Sequence, residues 1–119
     1  MVKKTNEDLN RSLLEYEGLE KQLEVLLIQK HQLQIQINEI DHAFEELKKS
    51  EGEVFRSVGS IVLRTTKEAA QKDLSEKKEL YGVKLTALSK QEEKLRTTVN
   101  DAQKKLQEKM KGYAAGENE

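Results

Sequence analysis

The strongest constraint on this chain is a seven-residue repeat that begins at Leu9. With Leu9 at position a, the a positions are Leu9, Tyr16, Leu23, Lys30, Ile37 and Phe44, and the d positions are Ser12, Leu19, Leu26, Leu33, Ile40 and Leu47. Ten of these twelve are apolar, the exceptions being Ser12 and Lys30. A strict seven-residue period keeps a narrow seam in line along a supercoiled helix, whereas a globular helix carries a broader stripe. Such a seam is buried only by a partner helix that runs along its whole length.

A second run supplies that partner. Its d positions are Leu74, Tyr81, Leu88, Leu95, Ala102 and Lys109, and its a positions are Gln71, Lys78, Leu85, Glu92, Val99, Leu106 and Tyr113. Thr65 followed by Glu68 reads as a capping box at its start. Each helix is about forty-five residues, or roughly 65–70 Å long. Residues 7–50 carry five basic and ten acidic side chains, and residues 66–111 carry twelve and eight, so charges of −5 and +4 attract. An antiparallel pairing with a opposite d makes partner numbers sum to about 118. Phe44 then faces Leu74, Ile37 faces Tyr81, Leu23 faces Leu95 and Tyr16 faces Ala102, about a centre at Gly59. Lys30 and Glu92 fall one layer apart, where a diagonal ion pair would specify register at some cost in stability.

Between the helices the period changes. Val54-Phe55-Arg56-Ser57-Val58 and Ile61-Val62-Leu63-Arg64 flank Gly59-Ser60. β-branched and aromatic runs around a two-residue turn that opens with Gly predict a type II′ β-hairpin. Pairing 58 with 61 puts Val54, Arg56, Val58, Ile61 and Leu63 on one face and Phe55, Ser57, Val62 and Arg64 on the other. A lone hairpin is marginal in water and has two unpaired edges, so hairpins from several chains are expected to join into an intersubunit sheet or closed β-barrel. The fold expected is therefore mainly α: a long antiparallel two-helix coiled coil, with a helix at about 5–50, a hairpin at about 53–65, a helix at about 66–113 and a flexible tail at 114–119, all one domain over 1–119.

Composition narrows function. The chain of 119 residues is 36% charged and 4% aromatic, with no Pro, Cys or Trp, which is too little bulky apolar volume for a compact enzyme core. A net charge of −1 removes the bulk attraction for nucleic acid or anionic lipid, although the +4 second helix leaves a nucleic-acid-gripping arm as a third-ranked reading. Without a membrane-length apolar run or a signal-like start, a soluble, unexported protein is expected, and the lack of cysteine fits a reducing compartment. His31 and His42 lie about 16 Å apart along one helix and cannot share a metal. Glu45-Glu46 and Glu92-Glu93 read as solvated helix surface, Asn10-Arg11-Ser12 as a chance glycosylation match, and no Gly-rich phosphate loop is present. No catalytic, cofactor or metal residues are expected.

Antiparallel pairing also brings the chain ends together, so that Val2, Leu9, Leu13 and Leu14 approach Leu106, Met110, Tyr113, Ala114 and Ala115. Leu13 and Leu14 fall at e and f, outside the seam. The residues alone leave two readings open: flexible apolar groups that bind varied non-native segments, or groups that fray and pack on one another.

The order helix, hairpin, helix around residues 54–64 resembles the β-type subunit of prefoldin, especially the archaeal kind. Gln29-Lys30-His31-Gln32-Leu33-Gln34-Ile35-Gln36-Ile37-Asn38-Glu39 and Lys90-Gln91-Glu92-Glu93-Lys94-Leu95 strengthen the likeness, which covers nearly the whole chain. The resemblance implies a cytoplasmic hexamer of two α-type and four β-type subunits, whose hairpins (here Val54, Phe55, Val58, Gly59, Ile61, Val62 and Leu63) build a β-barrel body. It implies capture of unfolded polypeptide at the coiled-coil tips without ATP, through Val2, Leu9, Leu13, Leu14, Leu106, Met110 and Tyr113, and delivery to a group II chaperonin. The alternative is a structural coiled-coil adaptor that grips one specific folded partner.

Overall fold

A computed structural model describes residues 2–117, with the side chains of residues 6–114. Four elements follow one another: α1 (Val2–Lys49), β1 (Val54–Val58), β2 (Ile61–Thr65) and α2 (Lys67–Glu117). The second helix continues through residues 114–117, where a tail was expected. Ala114 and Ala115 are strong helix formers and no proline stops the run, so the backbone keeps its hydrogen-bond ladder. The rest of that expected tail, residues 118–119, lies outside the described residues.

The start of α2 differs by one residue from the capping reading. Thr66, not Thr65, is the cap: its Oγ1 accepts the Ala69 N–H at 3.1 Å and its carbonyl accepts the Ala70 N–H at 2.9 Å. Thr65 is held as the last ladder residue of β2, opposite Val54, and so is extended rather than poised to cap. Glu68 then lies in the first turn, where its charge complements the helix dipole without closing a reciprocal box.

The chain forms two compact units, Met1–Gln29 with Leu88–Glu119 and Lys30–Ala87. In the first, α1 and α2 run antiparallel. Every a and d residue of α1 from Leu9 to Leu26 is at least half-buried, as are Leu88, Glu92, Leu95, Val99, Ala102, Leu106, Lys109 and Tyr113 of α2. Leu26, Val99 and Leu106 form the buried centre. The two polar d residues meet: the Lys109 ammonium donates to Ser12 Oγ at 2.6 Å and to the Asp8 carboxylate at 3.2 Å. Glu92, at an a position, accepts a 2.7 Å charged hydrogen bond from Arg96 Nε. Tyr16 titrates above its ordinary value, chiefly because of a hydrogen bond to Glu20, helped by burial and by the Glu20 charge.

The second unit repeats the pattern. Ile40 and Leu47 are buried, and Leu33, Ile37, Phe44, Leu74, Tyr81 and Leu85 are partly so. Lys78 departs from its seam assignment. It is exposed, and its flexible stem carries the ammonium to Asp41 at 2.6 Å, which spares the cost of burying the charge. Pairs 41 with 78 and 8 with 109 straddle the expected register by one residue on either side. At the hairpin end of this unit, Lys67 Nζ donates to the Lys48 carbonyl at 3.3 Å, which ties the end of α1 to the start of α2.

Candidate functional site

The hairpin forms as the residue pattern dictates. Val54↔Thr65, Phe55↔Arg64, Arg56↔Leu63, Ser57↔Val62 and Val58↔Ile61 pair in antiparallel register, which reproduces the two expected faces. Gly59 has φ 60 and no other described residue has positive φ, so only the first turn position is left-handed, as a type II′ turn requires. Ser57 Oγ donates to the Gly59 carbonyl at 3.4 Å across the turn.

The sheet has two strands, so among the described residues each strand has one edge without a ladder partner. Val54 is half-buried, but Phe55, Val58, Ile61, Val62 and Leu63 are 49–65% exposed. Both faces thus present apolar surface to solvent beside unpaired peptide groups, a combination that templates strand addition. Arg56 Nε lies 3.5 Å from the Asp73 carboxylate on α2, and Arg64 pairs with Glu53 at 3.0 Å. A shallow concavity of about 330 Å³ lies beneath the hairpin, with Ala43, Leu47, Ala69, Ala70 and Leu74 on its helical wall.

The candidate client-contact residues divide by exposure. Leu14 is 68% exposed, and Leu13, Met110 and Ala114 are also open to solvent. Leu9 and Tyr113 are half-buried at their a positions. Leu106 is 7% exposed, because its a position points into the opposing helix. The side chains of Val2 and Ala115 lie outside those described. His31 and His42 are exposed, and no three metal-binding side chains gather among the described residues. None of the described helices is long and apolar enough to cross a membrane. Two features escaped the sequence reading. Val25, Ile28, Ile35, Leu80 and Val83 are exposed, and their c and f heptad positions signalled this. The contact of Arg56 with Asp73 had no local signal, since 17 residues separate the two.

Comparison with known proteins gives this geometry a family. The sequence profile of the prefoldin subunit family matches residues 10–113. The chain belongs to the prefoldin subunit family. The prefoldin β subunit of Archaeoglobus fulgidus is 39% identical over 80 residues, covering 66% of this chain and 69% of that protein. The β subunit of Pyrococcus furiosus is 37% identical over 81 residues, with 66% and 69% covered. Among solved structures, the prefoldin β subunit from Thermococcus strain KS-1 superposes with a TM-score of 0.76 at 29% identity, over 85% of this chain and 90% of that one. The β2 subunit from the same strain shares the fold, with a TM-score of 0.70 at 18% identity over 75% and 97%. Prefoldins are chaperones, and the exposed chemistry of this member is apolar surface and free strand edge.

Proposed function

We propose that this prefoldin chain is a β-type subunit that works in the cytoplasm as part of an ATP-independent, non-enzymatic holding chaperone. Its hairpin joins those of α-type subunits and other β-type copies in a hexamer of two α and four β. The observation that carries this reading is the hairpin itself, with five large apolar side chains about half-exposed on a two-stranded sheet. A ribbon of that size does not hold its shape alone, and pairing with further strands satisfies both its edges and its faces.

Client binding is assigned to the chain-end unit. Leu13, Leu14 and Met110 supply exposed, flexible apolar contacts that need no fixed geometry and so suit non-native segments of varied sequence. Leu9 and Tyr113 are contributors at the margin of the seam. Delivery of the held polypeptide to a group II chaperonin completes the proposed role. The test has two arms. Native mass measurement with and without an α-type subunit reads assembly, and a chain that stays monomeric in both refutes the hairpin role. Aggregation of several unrelated denatured proteins, without nucleotide, reads holding. Deleting residues 1–14 and 107–119 is expected to abolish suppression, and unchanged suppression refutes the client assignment.

A further inference from the structure

The hairpin meets the two helices unequally. β2 ends at Thr65 and α2 begins at Lys67, so one residue, the capping Thr66, joins them. β1 is separated from α1 by four residues, Ser50 to Glu53, which include Gly52. The ribbon is therefore hinged to α2 and loosely tethered to α1. Packing does little to fix the angle at that hinge, since only Val54 among the hairpin's large apolar side chains is partly buried and a concavity lies beneath the ribbon. A second point of attachment comes from Asp73. It lies about 10 Å along α2 from the hinge and takes Arg56 of β1 at 3.5 Å, with Lys77 at 3.8 Å from the same carboxylate oxygen.

We propose that Asp73 is a positioning residue of the assembly surface: by holding Arg56 it fixes the angle at which the hairpin leaves α2 and so aims the hairpin's edges at neighbouring strands. Two attachments to α2, the Thr66 joint of β2 and the ionic contact of Arg56 on β1, brace the ribbon against rotation about Thr66. Loss of the ionic contact leaves the hairpin formed but variably oriented, and strand addition then has to pay the entropy of orienting it. Charge rather than shape carries the brace, so the inference distinguishes an isosteric neutral replacement from a reversed pair.

This inference rests on the reading of the hairpin as the assembly surface. The natural chain has no cysteine, so spin labels at S60C and E79C report hinge angle in the dilute, unassembled chain, and native mass measurement reports assembly. The expected result for D73N is a broadened label distance distribution, unchanged helix content, and a roughly two- to fourfold higher concentration at half-assembly, since an exposed pair contributes a factor of about two to five at each hairpin and the penalties at four β-type hairpins are spread over the five association steps of a hexamer. R56E/D73R restores both readouts. An unbroadened distribution in D73N, or a reversed pair that behaves like the single variants, overturns the brace. I61D is the control: if it leaves assembly intact, the hairpin is not the assembly surface and the parent reading fails instead.

Discussion

Replacement of Gly59 isolates a single physical cause. A Cβ at this position meets nothing within 4 Å, so the cost of Gly59→Ala is set by backbone conformation and not by collision with neighbours. At φ 60 an L side chain costs about 1–2 kcal/mol. Loss of glycine's freedom in the unfolded chain returns about 0.4–1 kcal/mol, which leaves a net cost of about 1 kcal/mol. That cost is roughly a fivefold shift in the opening equilibrium of a ribbon that is marginal to begin with. Amide hydrogen exchange of the ladder N–H groups in the unassembled chain is the assay, with roughly fivefold faster exchange expected within 54–65 and none of that acceleration in the buried turns around Leu26 or Val99. G59N/S60G, which installs the Asn-Gly pair of a type I′ turn, is expected to recover most of the loss. Parental exchange rates in G59A, or G59N/S60G exchanging as fast as G59A, would refute the turn assignment.

Three further outcomes follow from the packing. Leu26→Ala removes a buried seam residue and is expected to cost about 2–3 kcal/mol by thermal or urea unfolding, whereas Val25→Ala, at a 55% exposed position, changes stability by less than about 0.5 kcal/mol. Lys109→Leu exchanges a polar d-layer for an apolar one and is expected to raise the melting temperature while weakening the preference for this helix register; a lower melting temperature would mean that the bonds to Ser12 and Asp8 outweigh the apolar gain. Thr66→Ala removes the cap bond to Ala69 and is expected to cost about 1 kcal/mol and to speed exchange in the first turn of α2, and an unaffected first turn would contradict the cap.

Much of this molecule was determined by sequence acting over short range. A seven-residue apolar period defines which side of each helix is buried, and of the seam positions within the described side chains only Lys78 stands exposed. The hairpin register and turn type were equally legible, because β propensity and glycine's access to positive φ act over a few residues. The family resemblance drawn from that arrangement is the one the profile match supports.

Tertiary structure decided what depends on groups distant in sequence or on competition between neighbours. Thr65 and Thr66 are both competent caps, and only the ladder bond to Val54 shows which one is free to act. Leu106 and Met110 lie four residues apart and both suggested client contact; the opposing helix buries the first and leaves the second open. Asp73 gives no sign in its own segment of its contact with a strand residue seventeen positions earlier. A local pattern specifies which groups must be covered, but the meeting of two distant side chains depends on the angle between elements, which no window of neighbouring residues contains.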